Sequence, residues 1–140
     1  MAFTDELRTQ HRELSGMIEQ LDQMLEASAL SANADAAMEL VTGLSQKLKS
    51  HLKMESLSLL PALVKVGDKD VKMASKKFVV DAGGISKILA GYTKHWPNSE
   101  AIRTNPRAFI GESRQLIREL SSRVQRAESE LYSVADKVLA

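Results

Sequence analysis

Apolar residues recur every three or four positions along most of this chain, the spacing that places them on one side of an α-helix. The first stripe of such positions consists of Leu7, His11, Leu14, Ile18, Leu21 and Leu25. The second consists of Val41, Leu44, Leu48, His51, Glu55, Leu59 and Leu63. The third consists of Val71, Ala74, Phe78, Asp81, Ile85, Ile88 and Tyr92. The fourth consists of Ile110, Ser113, Ile117, Leu120, Val124, Ala127, Leu131, Val134 and Val138. The pattern predicts four long helices, over residues 4–27, 34–65, 69–95 and 106–138.

The predicted connections are short and contain residues that end or begin helices. Residues 28–33, rich in serine and alanine, are expected to form the first connection, and Gly67 begins the second. Trp96 precedes a proline and should end the third helix, whereas Asn105 suits a cap before a proline at the first helical position. Pro61 should kink or end the second helix, because it lacks a backbone N–H. These features predict an all-α fold, an antiparallel up-down-up-down four-helix bundle formed as one domain over residues 1–140.

Composition narrows the classes of protein that fit this pattern. The chain has 140 residues, of which 44% are hydrophobic, and it contains no cysteine, which excludes disulfides, thiolate metal sites and cysteine nucleophiles. A net charge of +1 argues against a nucleic-acid partner, and the apolar runs are far shorter than the ~20 residues of a membrane span. The first ten residues, MAFTDELRTQ, lack the pattern of a signal peptide, so we expect a cytoplasmic protein.

Ionisable residues interrupt three of the four apolar stripes. His11 lies in the first stripe, His51 and Glu55 lie one turn apart in the second, and Asp81 lies in the third. A carboxylate inside a bundle is costly unless it is paired, protonated or bound to a metal. His11 and His51 are expected at similar depth on facing helices, and imidazole plus carboxylate suits iron, zinc or manganese.

Other roles for these residues remain open at this point. Histidines on an apolar face are often hydrogen-bonded core residues without a ligand. Asp81 fits a partly exposed edge position or a salt bridge as well as a metal site.

Two segments of the chain resemble the hemerythrin-like family, which is also named for its His-His-Glu cation-binding motif. LRTQHREL around His11 is similar to the first-helix histidine segment of that family. HLKMESLSLLP, from His51 to Pro61, resembles its second-helix pattern of histidine, glutamate four residues later, then Leu-Leu-Pro. The resemblance implies a four-helix bundle that holds two irons, bridged by carboxylates and capped by histidines, and that handles oxygen, iron or redox signals. It carries over His11, His51 and Glu55 as metal ligands.

The second half of the chain departs from the family pattern. FVVDAGGISKIL supplies only Asp81 where the family has one or two histidines on the third helix. RVQRAESELYS places Arg123 at the histidine position of the fourth helix and Ala127 at the position of the bridging acid. Glu128 is one residue further on, rotated by ~100° around an α-helix. The resemblance therefore implies an incomplete di-iron site that retains, at most, one iron or zinc ion on His11, His51 and Glu55, with Asp81 as a candidate fourth ligand.

Arg123 allows two interpretations. Its guanidinium could enter the core near Glu55 or Asp81 and supply positive charge where the family has metal. Alternatively, Arg123 flanks the stripe, with its stem packed against the bundle and its head in water.

Three functions are consistent with these residues. The first is a non-catalytic binding or regulatory module that has lost the di-iron centre and acts on an unidentified protein partner. The sequence shows neither a phosphate-binding loop nor a Ser-His-Asp arrangement, either of which would indicate an enzyme. The second is a metal-responsive sensor with one iron or zinc ion at His11, His51 and Glu55. The third is a histidine phosphotransfer bundle, which would need His51 exposed, whereas the stripe predicts that it points inward.

A basic stretch at the start of the third helix contains Lys69, Lys72, Lys76 and Lys77. It could form a docking surface for acidic partners. Most such runs are simply solvated faces.

Overall fold

The computed structural model describes residues 4–139 and contains no strand within that range. The ends of the predicted domain, residues 1–3 and 140, lie outside the described residues. The helical elements in chain order are α1 (Asp5–Gln23), α2 (Ala27–Met54), a π-helical segment π1 (Glu55–Leu59), α3 (Leu60–Val66), α4 (Lys69–His95), α5 (Ser99–Thr104), α6 (Pro106–Arg126), a second π-helical segment π2 (Ala127–Tyr132) and α7 (Ser133–Val138). The all-α prediction is therefore confirmed over the part of the chain that the structure describes.

The first connection lies earlier than the sequence predicts. Helix α1 ends at Gln23, four residues before its predicted end, and α2 already begins at Ala27. The predicted loop over residues 28–33 is helical, although Asn33 departs from helical geometry with φ −120° and ψ 24°. Leu30 is fully buried, and α5 packs against α2. Packing of this turn against the core outweighs the weak helix preference of its serine and asparagine residues.

The other chain breaks lie where the sequence places them. Helix α4 begins after Asp68, whose side chain accepts a hydrogen bond from the backbone N–H of Val71, and it ends at His95, immediately before Trp96. Asn105 caps α6 by accepting a hydrogen bond from the Ala108 N–H. Pro106 therefore occupies the first turn of α6. A backbone N–H at this position would have no acceptor within the helix, so its absence in proline costs no hydrogen bond.

Pro61 changes the hydrogen-bond pattern of the helix but does not end it. The π-helical turn π1 directly precedes it, and the chain continues as α3 to Val66. A π-helical turn, with i→i+5 hydrogen bonds, accommodates one additional residue in the helix. The expectation of a kink or a stop is thus met by a local change of helix type between α2 and α3.

The helices enclose two apolar clusters with a polar layer between them. Helix α1 packs against α2 and α6, and α4 also packs against both. One cluster contains Leu14, Leu48 and Leu120, among others, and the other is built around Leu59, Phe78, Leu131 and Tyr132. On each of the four long stretches, polar side chains lie in sequence between members of the two clusters: these residues are His11, His51 with Glu55, Asp81 and Arg123. Within residues 4–139, no helix is both long and apolar enough to span a membrane.

Candidate metal centre

His11, His51 and Glu55 meet inside the helical bundle. Their exposed fractions are 3%, 1% and 0%, and one ligand atom from each lies within 4.8 Å of the others. The two imidazole rings are 4.4 Å apart between centroids, and His51 Nε2 lies 3.4 Å from Glu55 Oε2. Helix α1 therefore faces the junction of α2 and π1, as the apolar stripes predict.

Tyr132, which lies outside the apolar stripes of the sequence, places its hydroxyl at the centre of this cluster. Its Oη lies 3.1 Å from His11 Nε2 and 3.2 Å from His51 Nε2, and it donates a hydrogen bond of 2.8 Å to Glu55 Oε2. Burial, followed by the Glu55 charge, raises the pKa of the Tyr132 hydroxyl well above its usual range. The phenol therefore keeps its proton in this hydrogen-bonded arrangement.

Both imidazoles are held from the outside through their other ring nitrogen. His51 Nδ1 lies 2.7 Å from Oε1 of Gln10, whose amide nitrogen faces Met54 Sδ, and His11 Nδ1 lies 3.0 Å from Glu128 Oε1. Amide and carboxylate oxygens accept hydrogen bonds, so each Nδ1 carries a proton. In a neutral imidazole this arrangement leaves the lone pair on Nε2, which points into the cluster.

Glu128, which is displaced by one residue from the family's acidic position, contacts His11 from outside the cluster. The sequence places it one residue beyond the bridging position, and the structure directs it to the outer nitrogen of His11. Arg8 holds its other oxygen at 3.1 Å. Ala127 is fully buried and offers no ligand.

Arg123 lies inside the core with its guanidinium on Glu55. Its Nη2 lies 2.6 Å from Glu55 Oε1, and its Nη1 lies 3.5 Å from Oε2. The side chain is 4% exposed, and its Cζ lies 4.8 Å above the centre of the Phe78 ring. The interpretation that places the head of Arg123 in water is wrong. The alternative is right: a guanidinium enters the core and is stabilised by a carboxylate and an aromatic face.

Asp81 does not join the three-residue cluster, so the expectation of a fourth ligand from this residue is not met. Its Oδ2 lies 2.6 Å from Arg123 Nε, in ion-pair contact without the angle of a hydrogen bond. Arg126 approaches both of its oxygens at 3.4 Å. Because two guanidinium groups neutralise this half-buried carboxylate, it acts as the salt-bridge partner that the sequence left open.

The charge of Glu55 is secured by its neighbours. Burial alone raises the pKa of its carboxyl, but hydrogen bonds from His51 and Arg123, together with the Arg123 charge, outweigh burial and bring the pKa to about 2. Burial, followed by the neighbouring His51, lowers the pKa of His11. Near neutral pH the cluster thus contains an anionic oxygen beside the neutral imidazole of His11.

His51 is enclosed by the bundle, which weighs against the phosphotransfer alternative. A phosphoryl group would have to reach a side chain that is 2% exposed and adjacent to a carboxylate. The one histidine with an exposed side chain in the described part of the chain is His95, which is paired with Glu112 on the surface.

The residues present fit one metal ion and do not fit two. Two imidazole nitrogens and one carboxylate oxygen suit iron or zinc. Arg123 and Ala127 occupy the positions from which the sequence comparison expects a histidine and a bridging acid. Within residues 4–139, the cluster of His11, His51 and Glu55 is the only group of three such side chains close enough to share an ion.

Histidine and carboxylate side chains buried together inside an all-helical bundle are typical of helical proteins that bind metal ions between their helices. The model of the hemerythrin HHE cation-binding domain matches residues 2–135 of this chain. The protein therefore belongs to the hemerythrin HHE family, as the segments around His11 and His51 predict. Comparisons with curated proteins and with solved structures gave no match.

Proposed function

We propose that this protein is a single-metal hemerythrin-family domain that acts as a non-catalytic regulatory module. His11 Nε2, His51 Nε2 and Glu55 Oε2 would hold one iron or zinc ion, with Tyr132 Oη as a fourth donor. The four long helical stretches would run up-down-up-down, as in the expected bundle. The metal, when bound, would supply a positive charge that ties α1, α2, π1 and π2 together.

The carrying observation is the convergence of two imidazole nitrogens and one carboxylate oxygen on a single buried hydroxyl. His11 Nε2, His51 Nε2 and Glu55 Oε2 surround one hydroxyl, and its single proton is donated to Glu55. In the form that carries a proton on Nδ1 alone, each imidazole turns a nitrogen lone pair towards an oxygen that has no further proton to give, whereas a proton on His51 Nε2 would be donated to Glu55. A metal ion is the partner that such converging lone pairs accept most readily.

The outer contacts strengthen this assignment. Gln10 and Glu128 fix the Nδ1–H form of each imidazole and leave both Nε2 atoms free. Hydrogen bonds of this kind orient histidine ligands in metal sites. Glu55 is ionised throughout the physiological range, so the third donor is an anion without any change of pH.

Arg123 sets the limit to one ion. Its guanidinium contacts Glu55 and Asp81, and Arg123 stands at the sequence position where the family pattern has a histidine ligand. A further cation there would meet a fixed positive charge in a poorly hydrated interior. Dioxygen chemistry that needs a pair of irons therefore lacks its second ligand set, which supports a regulatory rather than a catalytic role.

A metal-free regulatory module is the second candidate, and one observation favours it. Arg123 already neutralises Glu55, and Arg126 helps to neutralise Asp81, so the interior charges are balanced without an added ion. In this case one imidazole would take up a proton, and the network would serve only to fix the packing of the helices.

Calorimetric titration of the chelator-treated protein with Zn²⁺ and, under anaerobic conditions, with Fe²⁺ tests the proposal. We expect one binding site in the wild type and in His95→Gln, whose changed histidine lies on the surface. His51→Gln should lose the site, because one of its three principal donors is gone. Absence of binding in the wild type, or equal binding by His51→Gln, would refute the single-metal site and leave the metal-free module.

A further inference from the structure

The lysines of this protein are concentrated in one part of the chain. Ten of the eleven lie between residues 47 and 94, a segment that contains no arginine and only four acidic residues. One of those four acids is the buried Glu55, and another is Asp81, which is paired with two arginines. The surface formed by the end of α2, α3 and α4 therefore carries a net positive charge, because this part of the chain has few acidic residues to balance its lysines.

Exposed apolar side chains are concentrated in the same segment. Seven of the eight large hydrophobic residues that are exposed in the described part of the chain lie between residues 57 and 88. Leu57 and Val80 are the most exposed, at 69% and 76%, and Val79 is half exposed. Exposed apolar side chains grouped together, rather than scattered, mark interaction surfaces.

A groove between α2 and α4 brings the two features together. It is lined by Lys49, Leu52, Lys53, Ser56, Val79, Ala82, Gly83 and Ser86. A side chain added at Gly83 would meet no atom within 4 Å, so the backbone of α4 is open along this side. Lys76 and Lys72 lie three and seven residues before Val79, and thus on the same side of α4. No acidic residue lines the groove.

We propose that this groove, the α2–α4 groove, binds an acidic amphipathic helix of a partner protein. A helix would lay its apolar side on Val79 and Leu52 and direct its carboxylates to Lys49, Lys53 and Lys76. The pairing of a positive rim with an apolar floor is complementary to such a helix. The proposal does not depend on a metal at the buried centre.

A membrane surface fits these observations less well. The apolar and basic residues line a concavity between two helices, which suits an inserted helix better than a flat bilayer. Exposed aromatic residues, which anchor proteins at the headgroup level, are missing from this surface: Phe78, Tyr92 and Trp96 are all buried.

Fluorescence anisotropy with a labelled synthetic peptide tests the α2–α4 groove. The probe is a helical peptide with leucines at i, i+4 and i+7 and glutamates on the adjoining positions. Its control has the same charge, with the leucines replaced by serine. We expect the leucine peptide to bind the wild type at least tenfold more tightly than the serine peptide, with affinity that falls as salt rises.

Variants locate the binding. The triple variant Lys49→Glu/Lys53→Glu/Lys76→Glu should weaken binding of the leucine peptide by at least tenfold. Arg107→Glu/Arg114→Glu/Arg118→Glu, an equal change of charge at exposed positions of α6, should leave it within about twofold. Val79→Ser, at an exposed position that lines the groove, keeps the charge and should also weaken binding, which provides a second test if the lysine variant folds poorly.

Three results would overturn the proposal. Equal binding of the two peptides would show that only charge is recognised, and equal loss in the α6 variant would show that the groove is not the site. Binding to vesicles of phosphatidylserine and phosphatidylcholine that depends on the three lysines, without binding of the leucine peptide, would assign the surface to a membrane.

Discussion

The Arg123 guanidinium lies 2.6 Å from a carboxylate oxygen of Glu55, and both side chains are excluded from water. Arg123 stands where the family pattern expects a histidine, so a side chain with a fixed positive charge replaces an expected metal ligand. A buried pair of this kind adds little net stability compared with apolar residues. Removal of one partner, however, leaves the other charge without compensation.

Arg123→Met is therefore expected to destabilise the metal-free protein by about 3 kcal/mol, because Glu55 would lose the partner that offsets its burial. Urea unfolding followed by circular dichroism measures the change. Arg126→Met is the matched control: its side chain is 38% exposed and contacts Asp81 only at 3.4 Å, so its cost should stay below about 1 kcal/mol. Similar costs for the two variants would contradict a core role for Arg123.

Tyr132→Phe removes one hydroxyl from the centre of the cluster and keeps the ring. We expect weaker Zn²⁺ binding, because the fourth donor is lost, and a loss of about 1–3 kcal/mol in the metal-free protein, because Glu55 Oε2 loses its hydrogen bond. Tyr92→Phe is the control, since Tyr92 is also buried but its hydroxyl is hydrogen-bonded to Ser113, outside the cluster. Titration calorimetry and urea unfolding would report the two effects separately. Unchanged Zn²⁺ affinity in Tyr132→Phe would remove Tyr132 from the ligand set.

Gln10→Leu tests the outer contact of His51. Loss of the acceptor for Nδ1–H frees the imidazole to rotate or change its protonated nitrogen, so Zn²⁺ affinity should fall by about tenfold or more. Gln20→Leu, at an exposed position of the same helix, should bind as the wild type does. If the two variants bind Zn²⁺ equally well, Gln10 does not orient His51 for a metal.

The low pKa of Glu55 predicts acid sensitivity of the metal-free protein. The pKa of Glu55 in the folded state is about 2, below its ordinary value of 4.5, so the folded protein binds this proton more weakly than the unfolded chain does. The resulting stabilisation is fully present above about pH 4.5 and is lost as the pH falls towards about 2. The free energy of unfolding from urea titrations should decline across this window. A flat profile would show that Glu55 is not held as an anion by its neighbours.

Much of the centre could be predicted from the sequence, since His11, His51 and Glu55 lie on apolar stripes and helical spacing alone turns them inward. Tyr132 could not be predicted in this way. It follows Leu131 directly, and two neighbours on an α-helix point about 100° apart. The structure buries both within the π-helical segment π2, with Leu131 in the apolar cluster and the Tyr132 hydroxyl among the polar groups.

The position of the first connection, between α1 and α2, also could not be predicted from the pattern of residues. Serine and asparagine are common in loops, and the burial of Leu30 in the core, with α5 packed against α2, accompanies the helical turn there. Arg123 left two interpretations open because a long side chain can either reach water or turn inward. Its position relative to Glu55, Asp81 and Phe78 in three dimensions decides between them.

Anomalous X-ray scattering from crystals grown with Zn²⁺ tests the single-metal site most directly. We predict one strong peak at the buried cluster, about 2.0–2.2 Å from His11 Nε2, His51 Nε2 and an oxygen of Glu55. Two buried peaks about 3.5–4 Å apart would show a paired centre in spite of Arg123. A peak only at the surface, such as between His95 and Glu112, would contradict a metal site in the core.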